Sequence, residues 1–160
     1  MRDGTTMQKT IRVQSSPFDA AAESAALTRG RTDIGALVSF VGLCRDEAGT
    51  LSALELEHYP AMAEEEMARI AAEAESRWPL LGLTIIHRTG KILPGEDIVL
   101  VLAASAHRHA AFAAAEFLMD FLKSRAPFWK KEHRLDGSAG QWVEAKDADE
   151  AALKRWLNTL

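Results

Sequence analysis

Two kinds of apolar pattern alternate along this chain of 160 residues, and the alternation restricts it to folds in which helices pack on a sheet. Residues 10–14 and 51–58 alternate apolar and polar side chains, as half-buried strands do, and residues 34–43 form a β-branched, apolar run typical of a buried strand. Residues 62–78 instead place apolar side chains three and four positions apart, which is the spacing of an amphipathic helix. The sequence therefore predicts a mixed fold of strands and helices.

Caps and breakers place the remaining elements. Ser16 and Pro17 supply an N-cap and a first helical residue for a helix that ends near Thr28, before Gly30. Glycine and proline make residues 90–96 a turn. The other predicted elements are strands at residues 83–87 and 98–103, a helix at 109–125, an extended segment at 128–133, a short strand at 141–145 and a helix at 147–157, with Pro60 and Pro127 as breakers.

Length and composition indicate one ordinary globular domain. Apolar residues make up 48% and charged residues 26%, and a chain of this size buries roughly 70% of its unfolded surface without disulfides. We expect a flexible tail over residues 1–9 and a single domain over residues 10–160. The single cysteine, Cys44, excludes an intramolecular disulfide and a CxxC-type metal site. No catalytic partner is placed beside it, so the thiol is interpreted as a buried side chain.

The sequence shows no targeting or membrane segment. No apolar run approaches the roughly 18 residues of a transmembrane helix, and the polar first ten residues lack the apolar centre of a signal peptide. We therefore expect a cytoplasmic protein. Its formal net charge of -4 argues against a nucleic-acid partner, because nucleic-acid-binding domains usually carry a basic surplus.

Positive charge is concentrated in one segment of this acidic chain. Residues 107–134 carry six lysines and arginines against three acids, a local charge of +3 that leaves -7 for the remainder. The concentration indicates a local anion-binding site, although each cation taken singly also fits an ordinary solvated surface. Phe128 and Trp129 stand between Lys123 and Lys130. An apolar wall beside a lysine can lower its pKa towards the range useful for proton transfer.

Further cations lie where the chain leaves a predicted strand. Residues 105–109 join a strand to a helix, where free backbone N–H groups attract anions and Arg108 offers a fork for a phosphate or carboxylate. Arg45 emerges at the end of the strand at residues 34–43. His107 and His109 have no third ligand nearby in the sequence, so we predict no metal site.

The predicted helix at 109–125 separates two groups of candidate site residues. Sixteen residues at about 1.5 Å each place His107 and Lys123 roughly 24 Å apart, too far to meet around one small substrate within one chain. Either they serve different sites, or two copies of the chain combine, one supplying Lys123 and the other His107 and Arg108. We favour the second arrangement as a hypothesis.

Several segments, in their order and spacing, resemble the large, catalytic subunits of molybdopterin synthase, the MoaE family. The resemblance extends from about residue 17 to residue 156. It rests on LEHYP at residues 56–60, IHRTG at 86–90, SAHR at 105–108, DFLKSRAPFWKKE at 120–132 and WVEA at 142–145. Each segment alone is a weak signal, whereas their shared order is specific.

This resemblance implies an α+β fold of the α/β-hammerhead type, with a mainly antiparallel sheet, flanking helices and a small β subdomain. It implies a sulfurtransferase that converts cyclic pyranopterin monophosphate to molybdopterin in molybdenum cofactor biosynthesis. The sulfur arrives as a C-terminal thiocarboxylate on the Gly-Gly tail of a small ubiquitin-like subunit, and the reaction uses no metal or organic cofactor. Large subunits of the family dimerise within a heterotetramer, and each pocket draws on both.

Residue by residue, the resemblance assigns catalysis to Lys123 and Lys130. It assigns substrate binding to Phe40, Leu43, Cys44, Arg45, His107, Arg108, Lys131 and Glu132. Family members often carry Lys and Val where this chain has Leu43 and Cys44, a departure that removes one candidate phosphate contact and keeps Arg45.

Two other functions remain open at this level. The basic segment also suits a non-catalytic docking module for a ubiquitin-like protein, or an anion-binding enzyme of unrelated chemistry. The sequence has neither a phosphate-loop spacing nor a GxSxG element, which disfavours nucleotide-triphosphate and serine-hydrolase chemistry. Lys123 and Lys130 discriminate between enzyme and docking module, because docking tolerates Lys→Gln at either position and catalysis does not.

Overall fold

The computed structural model describes residues 7–59, 61–125, 128–143 and 147–157. Strands and helices alternate along these residues, as the two apolar patterns predict. In chain order the elements are β1 (Gln8–Gln14), α1 (Ala20–Thr28), β2 (Ala36–Leu43), β3 (Leu51–His58), α2 (Met62–Arg77), β4 (Leu80–Arg88), β5 (Gly90–Ile92), β6 (Asp97–Ser105), α3 (Arg108–Ser124), β7 (Phe128–Arg134) and α4 (Asp147–Leu157).

The main sheet has four strands in the order β1-β4-β6-β2. β1 pairs with β4 in parallel, while β4 with β6 and β6 with β2 are antiparallel. Alternate residues of β6 face opposite layers: Val99, Val101 and Ala103 pack under α2, α3 and α4, and Leu100 and Leu102 pack under α1. Burial on both faces explains why the central strands are apolar runs without alternation.

A second, smaller sheet of three antiparallel strands has the order β5-β3-β7. Its own small core consists of Leu56, Ile92 and the thiol of Cys44, which follows β2. The predicted α+β architecture, with a mainly antiparallel sheet, flanking helices and a small β subdomain, is confirmed.

Helix α3 crosses the sheet from one end to the other. Four buried alanines, Ala110, Ala111, Ala114 and Ala115, allow its backbone to approach the strands closely. Phe117 fixes its middle, because the ring is fully buried and lies 5.3 Å from Trp78 and 4.6 Å from Phe121, centroid to centroid. The helix thereby holds its last turn, with Lys123, in a defined place.

The predicted starts of the first helix and of the first strand need correction. α1 begins at Ala20, because the Asp19 carboxylate accepts a hydrogen bond from the Ala22 N–H at 3.0 Å, so the predicted start at Ser16 and Pro17 is wrong. β1 begins at Gln8, which pairs with Gly82 of β4, so the end of the predicted tail is strand.

Two predictions about short strands also change. Gly90–Ile92, predicted as a turn, is the strand β5, since these residues pair with Leu54–Leu56 of β3. The strand predicted at residues 141–145 reduces to a single bridge between Val143 and Lys130, and its last two residues lie outside the described residues. The breakers predicted at Pro60 and Pro127 also lie outside them.

Removing the Phe117 ring tests how firmly α3 is held. We expect Phe117→Ala to lower the free energy of unfolding by about 3–5 kcal/mol, because it leaves a cavity in the core. Phe112 lies on the same helix and is 62% exposed, so we expect Phe112→Ala to change it by less than about 0.5 kcal/mol. Urea denaturation measures both, and equal losses would contradict this packing.

Candidate active site

One cavity of about 460 Å³ lies where the main sheet, the end of α3 and the small sheet meet. Its size falls within the range of small-molecule sites. Most of its wall is apolar, and the cations come from the C-terminal end of α3 and from β7. The lining residues are Phe40, Gly42, Leu43, Leu54, Leu56, Tyr59, Met62, His87, Ile98, Val99, Met119, Leu122, Lys123, Ser124, Arg125, Phe128, Trp129 and Lys130.

Lys123 and Lys130 both line this cavity. Lys123 stands in the last turn of α3, where the negative end of the helix dipole favours a cation. Lys130 lies on β7 and shares a face of the small sheet with its register partner Leu56. The apolar wall reduces the dielectric between these cations and a ligand, so an anion in the cavity is attracted more strongly than in water. The arrangement suits binding and stabilising negative charge.

Several aromatic rings line the cavity. Phe128 stacks on His87 with ring centroids 3.8 Å apart and planes 11° apart. Trp129 meets Tyr59 edge to face at 4.8 Å. Phe40 contributes from β2 and is 39% exposed. A flat, conjugated ligand fits such walls, because aromatic faces stack on one another.

His87 lies at the end of β4 and lines the cavity. Its Nδ1–H donates a hydrogen bond to the Arg88 carbonyl oxygen at 2.8 Å. Burial, and to a smaller extent the charges of Lys130 and Lys123, lower the pKa of the imidazole to about 4. The ring is therefore neutral at physiological pH, and Nε2 carries a lone pair.

Phe40 and Leu43 line the cavity, as their predicted role requires, whereas Cys44 does not. The Cys44 side chain is buried in the small core and its Sγ lies 3.8 Å from the Ile92 carbonyl oxygen. Burial raises the pKa of the thiol, which keeps it protonated. The interpretation of the thiol as a buried side chain is confirmed. The substrate-binding assignment of Cys44 stays a prediction, and the position of its thiol does not favour it.

Three other predicted binding residues stand outside the cavity lining. The Arg45 side chain is 79% exposed and pairs with Glu47. Lys131 places its Nζ 5.3 Å from the centre of the Trp142 ring. Glu132 is exposed on β7, opposite Leu54 in the register. Each lies within two residues of a lining residue along the chain, Leu43 or Lys130, and its assignment stays a prediction.

His107 and Arg108 lie at the far end of α3 from Lys123. His107 is the N-cap residue and Arg108 the first residue of the helix, and both are exposed. β2 runs alongside from Ala36, which pairs with Ser105, to Leu43 at the cavity. The prediction that His107 and Lys123 flank one helix is confirmed, and the cavity of a single chain contains only the second.

Sequence reasoning did not single out several residues that line the cavity. His87 belongs to the family-like segment at residues 86–90, and a lone histidine that ends an apolar strand is a usable signal. Tyr59, Met119 and Arg125 also line the cavity, and no local pattern marks them as site residues. Their positions depend on how three elements meet, which local patterns do not report.

The described residues contain neither a candidate metal site nor a candidate membrane span. No group of three or more histidine, cysteine, aspartate or glutamate side chains there could hold a metal ion. None of the helices in this part of the chain is long and apolar enough to cross a membrane.

The neutral state of His87 makes stability depend on pH. An unperturbed histidine of the unfolded chain titrates near 6.5, against about 4 in the fold. Between these values the unfolded chain binds more protons, so the free energy of unfolding falls as pH decreases from 6.5 to 4, by up to about 3 kcal/mol. His87→Phe keeps a ring against Phe128, and its free energy of unfolding should lack this part of the pH dependence. Denaturation at several pH values measures the difference, and parallel pH curves would contradict a neutral, buried His87.

Comparison with known proteins agrees with this geometry. The sequence pattern of the family described as MoaE protein matches residues 13–125. The molybdopterin synthase catalytic subunit of Mesorhizobium japonicum is 74% identical over 150 residues, 94% of each chain. The molybdopterin biosynthesis MoaE protein of Burkholderia ambifaria has a TM-score of 0.80 and 50% identity, covering 93% of this chain and 98% of that one.

A more distant solved structure shares the fold. It is the complex of subunits 1 and 2 of molybdopterin-converting factor from Helicobacter pylori, with a TM-score of 0.66 and 22% identity over 86% of this chain and 90% of that one. The family match covers more than half of the sequence, and the Mesorhizobium relative matches it almost from end to end. This chain belongs to the MoaE family.

Proposed function

We propose that this protein is a sulfurtransferase, the catalytic subunit of a molybdopterin synthase. Its substrates are cyclic pyranopterin monophosphate and the C-terminal thiocarboxylate of a small ubiquitin-like subunit. The observation that carries the proposal is the convergence of Lys123 and Lys130, from α3 and β7, on one cavity with aromatic and apolar walls. The 74% identity to a molybdopterin synthase catalytic subunit supports it.

The two lysines match the charges that this reaction develops. Both substrates are anions, since one carries a cyclic phosphate and the other a thiocarboxylate. When the thiocarboxylate sulfur attacks the pterin, and when water later hydrolyses the resulting thioester to release the tail as a carboxylate, ammonium groups stabilise the negative charge and supply or take up protons. Because the cavity is largely apolar, these cations act in a low dielectric, where each interaction is stronger than at the surface.

The walls suit the rest of the substrate. The stacked pair of Phe128 and His87 and the exposed ring of Phe40 offer flat faces to a pterin. Leu43 contributes apolar contact. The reaction on these terms calls on no metal or organic cofactor.

A second copy of the chain completes the site in this proposal. His107 and Arg108 lie roughly 24 Å along α3 from Lys123, so they serve as phosphate-binding residues only in the cavity of another protomer. β2 is an edge strand of the main sheet, and it exposes Leu37, Phe40 and Leu43. An exposed apolar edge favours pairing with a second chain, and we infer a homodimer within a heterotetramer. Arg45, Lys131 and Glu132 then border the shared site.

The small subunit and the cellular compartment follow from the same chemistry. The Helicobacter neighbour was solved with two subunits together, which supports a protein partner that delivers the sulfur. A thiocarboxylate and a free thiol such as Cys44 persist in a reducing compartment, so we propose a cytoplasmic location.

Neutralising either cavity lysine tests the catalytic proposal. We expect Lys123→Gln and Lys130→Gln each to reduce turnover by about 100-fold or more, because stabilisation of developing charge is lost. Binding of the small subunit, measured by calorimetry, should change little. Lys91 is exposed on β5, away from the cavity, and Lys91→Gln is the matched control.

The same variants separate the enzyme from a docking module. Full turnover by both lysine variants, or a loss of partner binding as large as the loss of turnover, would contradict catalysis by these residues.

Mixing two inactive variants tests the shared site. Lys123→Ala chains and His107→Ala chains, when dimers form at random, give half mixed dimers, each with one intact site. We expect about a quarter of wild-type activity from the mixture, measured after unfolding and refolding the chains together. A mixture no more active than either variant alone would count against a site built from two chains.

A further inference from the structure

We propose that His87 is a specificity-determining residue of the cavity, whose Nε2 accepts a hydrogen bond from an N–H or O–H group of the substrate. The inference rests on the proposed function, because it concerns how the same cavity selects its ligand. It adds a residue whose role differs from those of Lys123 and Lys130, since both lysines recognise negative charge.

The hydrogen bond of Nδ1 fixes which nitrogen is available. A backbone carbonyl oxygen only accepts, so the 2.8 Å contact with the Arg88 carbonyl places the proton on Nδ1. In the neutral ring Nε2 is then an acceptor. The stack on Phe128 holds the plane of the ring, because the two faces lie 3.8 Å apart and nearly parallel. Nε2 is the ring nitrogen that remains for a ligand in the cavity.

An acceptor is scarce among the polar groups that line this cavity. The side chains of Lys123, Arg125, Lys130 and Trp129 only donate hydrogen bonds. The hydroxyls of Tyr59 and Ser124 rotate and either donate or accept. Nε2 of His87 is fixed as an acceptor by the backbone. A substrate atom that also accepts would be left unpaired against it, which penalises the wrong ligand or orientation.

The surroundings of the ring keep this acceptor from gaining a proton. Lys130 of β7, Lys123 of α3 and His58 of β3 all act against a positive charge on it. From the neighbouring strands β1 and β6, the register partners of His87 are the apolar Val13 and Val99. Burial opposes the charged form most strongly. Nε2 therefore stays an acceptor at pH values well above 4, neutral pH included.

Two substitutions separate the two ring nitrogens. In His87→Asn the amide N–H replaces Nδ1–H toward the Arg88 carbonyl, and nothing replaces Nε2. In His87→Gln the longer amide reaches the position of Nε2, and the bond of Nδ1 is lost. We expect His87→Asn to raise KM for the pterin about 10-fold and to leave KM for the thiocarboxylated subunit unchanged. His87→Gln should stay within about threefold of wild type in both constants.

A structural role would give the opposite ranking. If His87 served only to hold the Arg88 backbone, His87→Gln would be the more damaged variant, with a lower melting temperature. That ranking, or an equal effect of both variants on both KM values, overturns the proposal.

Nitrogen NMR of histidine-labelled wild-type protein reads the acceptor directly. The Nε2 resonance should have the shift of an unprotonated nitrogen at neutral pH, and addition of cyclic pyranopterin monophosphate should move it toward the protonated type. A protonated Nε2 in the free protein overturns the proposal. An Nε2 shift that substrate leaves unchanged also overturns it, because no substrate donor then reaches this nitrogen.

Failure of the proposed function looks different from failure of this inference. Wild-type protein that binds both substrates and consumes no thiocarboxylate overturns the function and the inference with it. Wild-type protein that turns over while His87→Asn keeps its KM for the pterin overturns the inference alone.

Discussion

The length of α3 is the constraint on which the rest of the site depends. Its 17 residues pack along the sheet through small alanines and the buried Phe117. A helix held this way carries Lys123 to one end and leaves His107 at the other, and it cannot bend to bring them together. The fold therefore places a two-lysine cavity at one end of each chain and a separate cationic helix start at the other. In a site shared between two copies, the two-lysine cavity of one chain meets the cationic helix start of the other.

The depth of burial decides which side chains of the cavity carry a charge. The ammonium groups come from the end of a helix and from a short strand, where they reach both solvent and ligand. The imidazole of His87 lies deeper and is stacked on Phe128, so burial holds its pKa near 4. The site thus presents cations for the anionic parts of its substrates and an uncharged acceptor beside them. Adding a third positive charge at His87 would oppose the other two.

The sequence predicts those elements whose apolar pattern reflects packing against a single neighbouring layer. The alternation of residues 51–58, the spacing of residues 62–78 and the span of α3 all have the structure that their patterns indicate. The start of α1 was missed because Asp19 competes with Ser16 as a cap, and β5 was missed because three residues acquire a strand only by pairing with β3.

The sequence predicts those site residues that lie close together along the chain. Lys123, Phe128 and Lys130 are close in sequence and meet in one cavity. His87 belongs to the same cavity through contact with Phe128, a residue from a different sheet, and its neutrality arises from that burial. Cys44 was assigned by correspondence of position, whereas its side chain lies on the buried side of the chain.

Reconstitution of the reaction tests the central claim most directly. Wild-type protein is mixed with a thiocarboxylated small subunit and cyclic pyranopterin monophosphate, and the dithiolene product and the remaining thiocarboxylate are measured by mass spectrometry. Sulfur transfer in the two-lysine cavity predicts the dithiolene, with two thiocarboxylates consumed for each molecule formed. Intact thiocarboxylate under conditions in which the two proteins bind one another would contradict it.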